Sequence, residues 1–415
     1  LMDNNSIENT QKCYIKDYNQ WARLIDKSLK ECVDKTSTSV ISQLIQFNKN
    51  NATGPLAGVP YAIKDLFDVS GFPSKNSSVL PEFNACATKN SAIIERMSQL
   101  GATCVAKTQM NEFAYGLTGE NPHFGNCRHP LLKNCLSGGS SSGSAYLVAA
   151  DYLPLSFGTD TGGSIRLPAA WCGVYGIRWA PGYFLEGAFP LAPSFDTMGW
   201  FSASAKDMTH TLLAWFNHDS TNSIRELNGC SILPKHLLEI ESFNHLSAVI
   251  SHLEIKQLTD SDSFESLLSK CHFAFNVLQS VEAYAIHEKF INKRMDTYDP
   301  QVVSRILRAR KWTPEDISKA NLYKTKIANW FNDFFQTYDF LVMPICPTAS
   351  VPLKDANSNL REMTLQLTTP ASLSGLPALT VPVWLDEKRS IGLQFIFKKV
   401  EPTIPLAIVE LCKNI

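Results

Sequence analysis

Several absences bound this chain before any motif is read. Its nine histidines are dispersed, and none forms H-E-x-x-H or joins cysteines at zinc spacing, so no metal site is expected. Eleven cysteines stand singly from Cys13 to Cys412 with no C-x-x-C pair, which suits free thiols in a reducing compartment better than a disulfide framework. The longest apolar runs, Ala145 to Ala150 and Ala378 to Val383, fall far short of the roughly 20 residues that span a bilayer. Neither sign of charge dominates: 38 basic and 39 acidic residues leave a net charge of −1, so no field draws nucleic acid or an anionic membrane. Setting Leu1 aside, the polar start Met2-Asp3-Asn4-Asn5-Ser6 lacks a basic segment followed by an apolar one, and a cytoplasmic chain is the expectation. No repeat, low-complexity tract or Gly/Ser/Pro linker divides the 415 residues, so residues 1–415 read as one domain with insertions.

Residues 13–50 read as an amphipathic helical arm, with Trp21, Leu24, Ile25 and Leu29 at helical spacing, before the turn-rich segment from Asn50 to Pro55. Val59 to Lys64 reads as a short apolar strand that delivers a lysine at its end. Ile93 to Leu100 gives a helix stopped by Gly101, Thr103 to Ala106 a strand, and Met110 to Tyr115 a helical turn. Ser144 to Ala150 follows as a helix of small residues and Leu153 to Phe157 as a buried strand. This alternation implies an α/β fold with a partly parallel sheet. Residues 205–335 read as a helical covering insertion, after which segments 341–347 and 368–382 return as late strands.

Two glycine-serine loops carry the functional signal: Gly138-Gly139-Ser140-Ser141-Ser142-Gly143-Ser144, then Gly158-Thr159-Asp160-Thr161-Gly162-Gly163-Ser164-Ile165-Arg166. Glycines let backbone amides converge where charge develops, so the amides of Thr161, Gly162, Gly163 and Ser164 form a candidate oxyanion hole beside a candidate nucleophile. A serine needs a base, usually histidine, yet none lies between His129 and His210. Lysine serves instead when burial lowers its pKa from about 10.4 toward neutrality. Lys64, beside Ile63 on the apolar strand, suits that role if Asp65 points to the opposite face.

Together, Gly58-Val59-Pro60-Tyr61-Ala62-Ile63-Lys64-Asp65 and the two loops resemble the amidase signature family. The resemblance implies a mixed, twisted β-sheet core with helices on both faces, and activity without a cofactor. In that family a lysine, a serine on a cis peptide bond and a nucleophilic serine form a Ser-Ser-Lys triad, which maps onto Lys64, Ser140 and Ser164. The family's 24-residue spacing between the two serines selects Ser140 over Ser141 and Ser142 as the relay. Ser142 stands where the commoner family loop has glycine, a variation also found within the family. The segments Asn121 to Gly125, Trp171-Cys172-Gly173 and Ser194 to Trp200 most resemble compact plant-type indole-3-acetamide hydrolases.

Phe113, Tyr115, Trp171 and Phe195, with Trp200, are read either as core or as an aromatic wall for the substrate, and Asp160 and Arg166 as braces of the second loop. Cys172 reads as a buried apolar residue and His123 as a pocket-wall or surface residue. The expectation is hydrolysis of a small aromatic or apolar carboxamide. The rival readings are the glutaminase subunit of a tRNA-dependent amidotransferase and a non-catalytic docking module. A homodimer is compatible with the sequence.

Overall fold

In the computed structural model, residues 18–46, 53–218 and 226–415 are described. Among them eleven strands form one mixed sheet: β1 (Ile41–Leu44), β2 (Pro60–Lys64), β3 (Thr103–Thr108), β4 (Leu155–Asp160), β5 (Tyr175–Arg178), β6 (Thr197–Ser202), β7 (Gly229–Ser231), β8 (Lys256–Gln257), β9 (Phe340–Pro344), β10 (Ala378–Trp384) and β11 (Ser390–Phe397). Their order is β1-β3-β2-β4-β6-β5-β10-β11-β9-β7-β8. β2 lies between β3 and β4 and runs parallel to both, whereas the pairings from β4 through β6, β5, β10 and β11 to β9 are antiparallel. Every residue of β2, β4, β6, β9 and β11 is buried, so both faces of the sheet are covered there.

The cover is helical: α1 (Tyr18–Thr36), α2 (Ala92–Gln99), α3 (Ser142–Ala149), α4 (Arg166–Cys172), α5 (Ala205–Phe216), α6 (Ile240–His252), α7 (Asp262–Arg294), α8 (Pro300–Leu307), α9 (Pro314–Phe334), α10 (Ser358–Leu373) and α11 (Thr403–Leu411). α4 packs on β5, β10 and β11, while α7 packs against α9 and α10. No helix among the described residues is long and apolar enough to cross a membrane.

Three sequence expectations need correction. The N-terminal arm is helical only to Thr36, and Ile41–Leu44 pairs antiparallel with β3. Ile25 and Leu29 are buried, whereas residues 13–17 and 47–52 and the side chains of Trp21 and Leu24 lie outside the described residues. The covering insertion is not purely helical, because β7 and β8 extend the sheet beyond β9. The Thr368-Thr369-Pro370 segment, expected as strand, ends α10. The Thr369 hydroxyl donates to the Leu365 carbonyl one turn back, and burial of residues 367–373 overrides weak β-branched helix propensity.

Close strand packing depends on Gly199 of β6, where a Cβ would stand 1.8 Å from the Ile177 carbonyl oxygen on β5. Gly199→Ala is therefore expected to lower unfolding free energy by about 2–3 kcal/mol, read from the urea midpoint at unchanged m-value.

Candidate active site

Because β2 and β4 are parallel neighbours, Lys64 and the Thr159-Asp160 pair reach the same carboxyl edge of the sheet, where α/β folds place ligands. The loop before α3 contains a cis peptide bond between Gly139 and Ser140. Gly139 N–H donates to the Leu117 carbonyl at 2.8 Å, and the Ser140 carbonyl accepts from Asn111 N–H at 3.3 Å. Ser141 N–H donates to the Ser164 carbonyl at 3.2 Å, which sets the two serine loops against each other. Gly158 permits the approach, since a Cβ there would stand 2.6 Å from Ser141 Oγ.

Lys64 is fully buried, with Nζ 2.8 Å from Ser140 Oγ, 2.9 Å from Ser141 Oγ and 2.9 Å from Thr159 Oγ1. All three partners are neutral. Burial lowers its pKa to about 7 against opposing attraction from Asp160 and Asp196. Asp65 faces away, with its carboxylate 3.3 Å from Lys107 Nζ. Ser141 Oγ is saturated: it accepts from Lys64 and from Thr159 N–H at 3.3 Å, and donates to the Thr159 carbonyl at 3.0 Å. A neutral amine has two hydrogens and one lone pair. With the hydrogens on Ser141 and Thr159, the lone pair faces Ser140 and can receive its hydroxyl proton. Ser142 and Ser144 turn elsewhere, donating to the Gln109 and Phe157 carbonyls.

The Ser164 loop is shaped by the buried Asp160 carboxylate. It accepts from Gly163 N–H at 2.9 Å, Ile165 N–H at 3.1 Å and Arg166 N–H at 3.2 Å, and from the Arg166 and Arg178 guanidiniums. Burial pushes its pKa up, but Arg166 and Arg178 overcome that and hold it well below the carboxylate range. This corrects one oxyanion expectation: the Gly163 amide is already engaged with Asp160, leaving Thr161, Gly162 and Ser164 as candidate donors. Asp196 fixes Thr161 by accepting its hydroxyl at 2.7 Å, and Thr368 Oγ1 donates to the Gly162 carbonyl at 2.7 Å.

The aromatic set divides. Trp171 lines a cavity of about 170 Å³ together with Leu117, Leu167 and Leu360. Phe113 packs instead among Phe83, Phe189, His287 and Tyr298, and Tyr115 is buried in the same core. Phe195 packs against Phe275, which would touch a Cβ on Gly162. Trp200 packs at a tilt against Trp179 and Trp215 in the core. Cys172 is buried, and His123 lies 3.2 Å from the Glu112 carboxylate. His129 is committed to the Trp171 carbonyl and to the amides of Leu131 and Leu132.

Sequence reasoning missed Ser141, Thr159 and Arg178. A charged residue closing the otherwise uncharged strand Tyr175-Gly176-Ile177 was the available signal for Arg178.

The family model described as Amidase matches residues 14–231 and 226–401, and the chain belongs to that family. It is 29% identical to the A subunit of the Glutamyl-tRNA(Gln) amidotransferase of Legionella pneumophila (strain Corby), over 98% of this chain and 92% of that one. It is 27% identical to Amidase 1 of Arabidopsis thaliana over 86% of this chain and 92% of that one. A crystal structure of an amidase superimposes with a TM-score of 0.81 at 27% identity, covering 94% of this chain and 95% of that one. The chain is thus a hydrolase of carbon–nitrogen amide bonds. These similarities do not single out the indole-3-acetamide hydrolases.

Removing the Asp160 charge leaves Arg166 and Arg178 buried without a counter-ion. Asp160→Asn is expected to cost about 3–5 kcal/mol in urea unfolding.

Proposed function

We propose that this protein hydrolyses a small carboxamide through an acyl-enzyme formed on Ser164, with Ser140 as proton relay and neutral Lys64 as base. The observation that carries this reading is the fully buried Lys64 amine, held against Ser140 Oγ at 2.8 Å by neutral groups alone. Ser164 Oγ bonds to the amide carbon while its proton passes to Ser140, whose own proton moves to Lys64. The amides of Thr161, Gly162 and Ser164 stabilise the oxyanion. On collapse the carbon–nitrogen bond breaks, the relay returns the proton to the departing ammonia or amine, and water releases the acid by the same route.

The leucines beside Trp171 offer an apolar wall for the acyl group, which supports an aromatic or apolar carboxamide such as indole-3-acetamide or phenylacetamide. A second reading rests on the likeness to the amidotransferase: glutamine as the amide, with ammonia passed to a partner. Ammonia release from glutamine by the isolated chain, measured beside the other amides, separates the two. The intact Lys64–Ser140 contact counts against a docking module.

Ser164→Ala is expected to abolish both ammonia release and fluorophosphonate labelling while leaving the circular dichroism spectrum unchanged. Unaltered turnover would overturn the nucleophile assignment. Because only neutral Lys64 accepts a proton, kcat/KM is expected to fall about tenfold per pH unit below an apparent pKa of about 7 and to level off above it. A pH-independent rate from 5 to 9 would exclude Lys64 as the base.

A further inference from the structure

The cavity beside the Ser164 loop has walls that amide chemistry alone does not explain. Besides Trp171 and the leucines, it is lined by Arg305, Arg308 and Arg361, with Glu120 as the one lining carboxylate. Glu120 accepts the Thr118 hydroxyl. Arg305 donates to the Tyr115 carbonyl and, at 2.7 Å, to Gln301 Oε1. Among the described residues, neither Arg308 nor Arg361 has a carboxylate within salt-bridge distance or a side-chain hydrogen bond. Burial, and then the like charges of Arg305 and Arg308, push the Arg361 guanidinium well below its usual pKa. Three half-buried guanidiniums around a small cavity repel one another, and an anion placed among them relieves that repulsion with paired charge-assisted hydrogen bonds.

Two wall residues of the cavity connect it to the serine loops. Leu117 holds the Ser140 loop through Gly139, and Leu167 N–H donates to the Gly163 carbonyl. On α10, Arg361, Thr364 and Thr368 recur at i, i+3 and i+7 on one face. Thr368 donates to the Gly162 carbonyl, and the helical rise sets Arg361 about 10 Å along the axis from it. A long arginine side chain shortens that gap to the reach of a small molecule.

We infer that Arg308 and Arg361, assisted by Arg305, bind an anionic group, a carboxylate or phosphate, carried by the amide substrate. The inference rests on the amide-hydrolase reading for its reaction, though not for its binding site. The substrate class is then an amide joined by a short apolar spacer to an anion. The spacer lies against Trp171 and the leucines while the anion meets the arginines. Glutamine fits less well, because its α-ammonium would enter the same positive surroundings.

The test compares ammonia release from succinamate, glutaramate and adipamate with release from the isosteric neutral diamides. A phosphate-bearing amide of matched length distinguishes carboxylate from phosphate. Wild type is expected to favour the anionic amides by roughly tenfold or more in kcat/KM, mainly through KM, with the preference shrinking at high salt. Arg308→Gln and Arg361→Gln are each expected to cut that selectivity ratio by roughly tenfold. In parallel, calorimetry measures binding of succinate, glutarate and inorganic phosphate to wild type and both variants. Saturable anion binding that both variants weaken upholds the site even if no amide is turned over, in which case the hydrolase reading is what fails. Equal turnover of neutral and anionic amides, with no anion binding to wild type, overturns the inference and leaves the hydrolase reading standing. Equal losses on neutral and anionic amides in both variants overturn it too, by showing a structural role.

Discussion

The Asp160 carboxylate is the interaction on which the rest of the site depends. Burying a charge is unfavourable unless it is paired and its lone pairs are satisfied, and here three backbone amides and two guanidiniums do both. The consequence is geometric. The amides fix the turn that carries Ser164, while Arg166 continues outward to the Thr368 carbonyl, Gln394 Oε1 and Ser372 Oγ. Gln394 in turn donates to the Pro344 and Leu367 carbonyls. One negative charge thus ties β4, the Ser164 loop, α4, α10, β11 and β9 together, and strands far along the chain hold a loop built from its first half.

Two buried lysines at one edge of the sheet show why surroundings, rather than residue type, decide the chemistry. Lys107 on β3 lies 3.3 Å from the Asp65 carboxylate and donates to the Pro73 carbonyl at 2.7 Å, so its charge is matched. Lys64 on the adjacent β2 meets only hydroxyls. Desolvation without a counter-charge favours the neutral amine, and hydroxyl partners can orient that amine without re-charging it. Alternation of side chains along β2 into the following residue keeps Asp65 with Lys107 and away from Lys64. A one-residue slip would exchange the two faces, taking Lys64 toward Lys107 and putting the Asp65 carboxylate among the serine-loop hydroxyls.

Legibility in the sequence followed the range of the interactions. Lys64, the two serine loops and the strand–helix alternation of the first half are local patterns, and each falls where the sequence reading placed it within a few residues. The end of α10 was read as strand because its threonines and proline have low helix propensity, and only burial and backbone partners reverse that. The aromatic wall misled for a related reason. Phe113, Tyr115 and Phe195 lie near the motifs in sequence, yet nothing local says whether a ring faces a cavity or the core. The arginine-lined cavity draws on segments around 120, 305 and 361, and no spacing rule connects residues so far apart.

The distance between the two ends of this site is set by a helix and not by a loop. α10 is buried from Leu367 through Leu373, and Thr368 and Ser372 lock it to the Gly162 carbonyl, Arg166 and Arg178. Arg361 belongs to the same rigid element, so its position relative to the Ser164 loop follows from helical rise and cannot relax independently. Holding like charges together without a ligand is unfavourable, and a mobile loop would simply let them separate. A tethered helix keeps them converged, which reduces the ordering required when an anion binds and turns the length of the substrate into a criterion of fit.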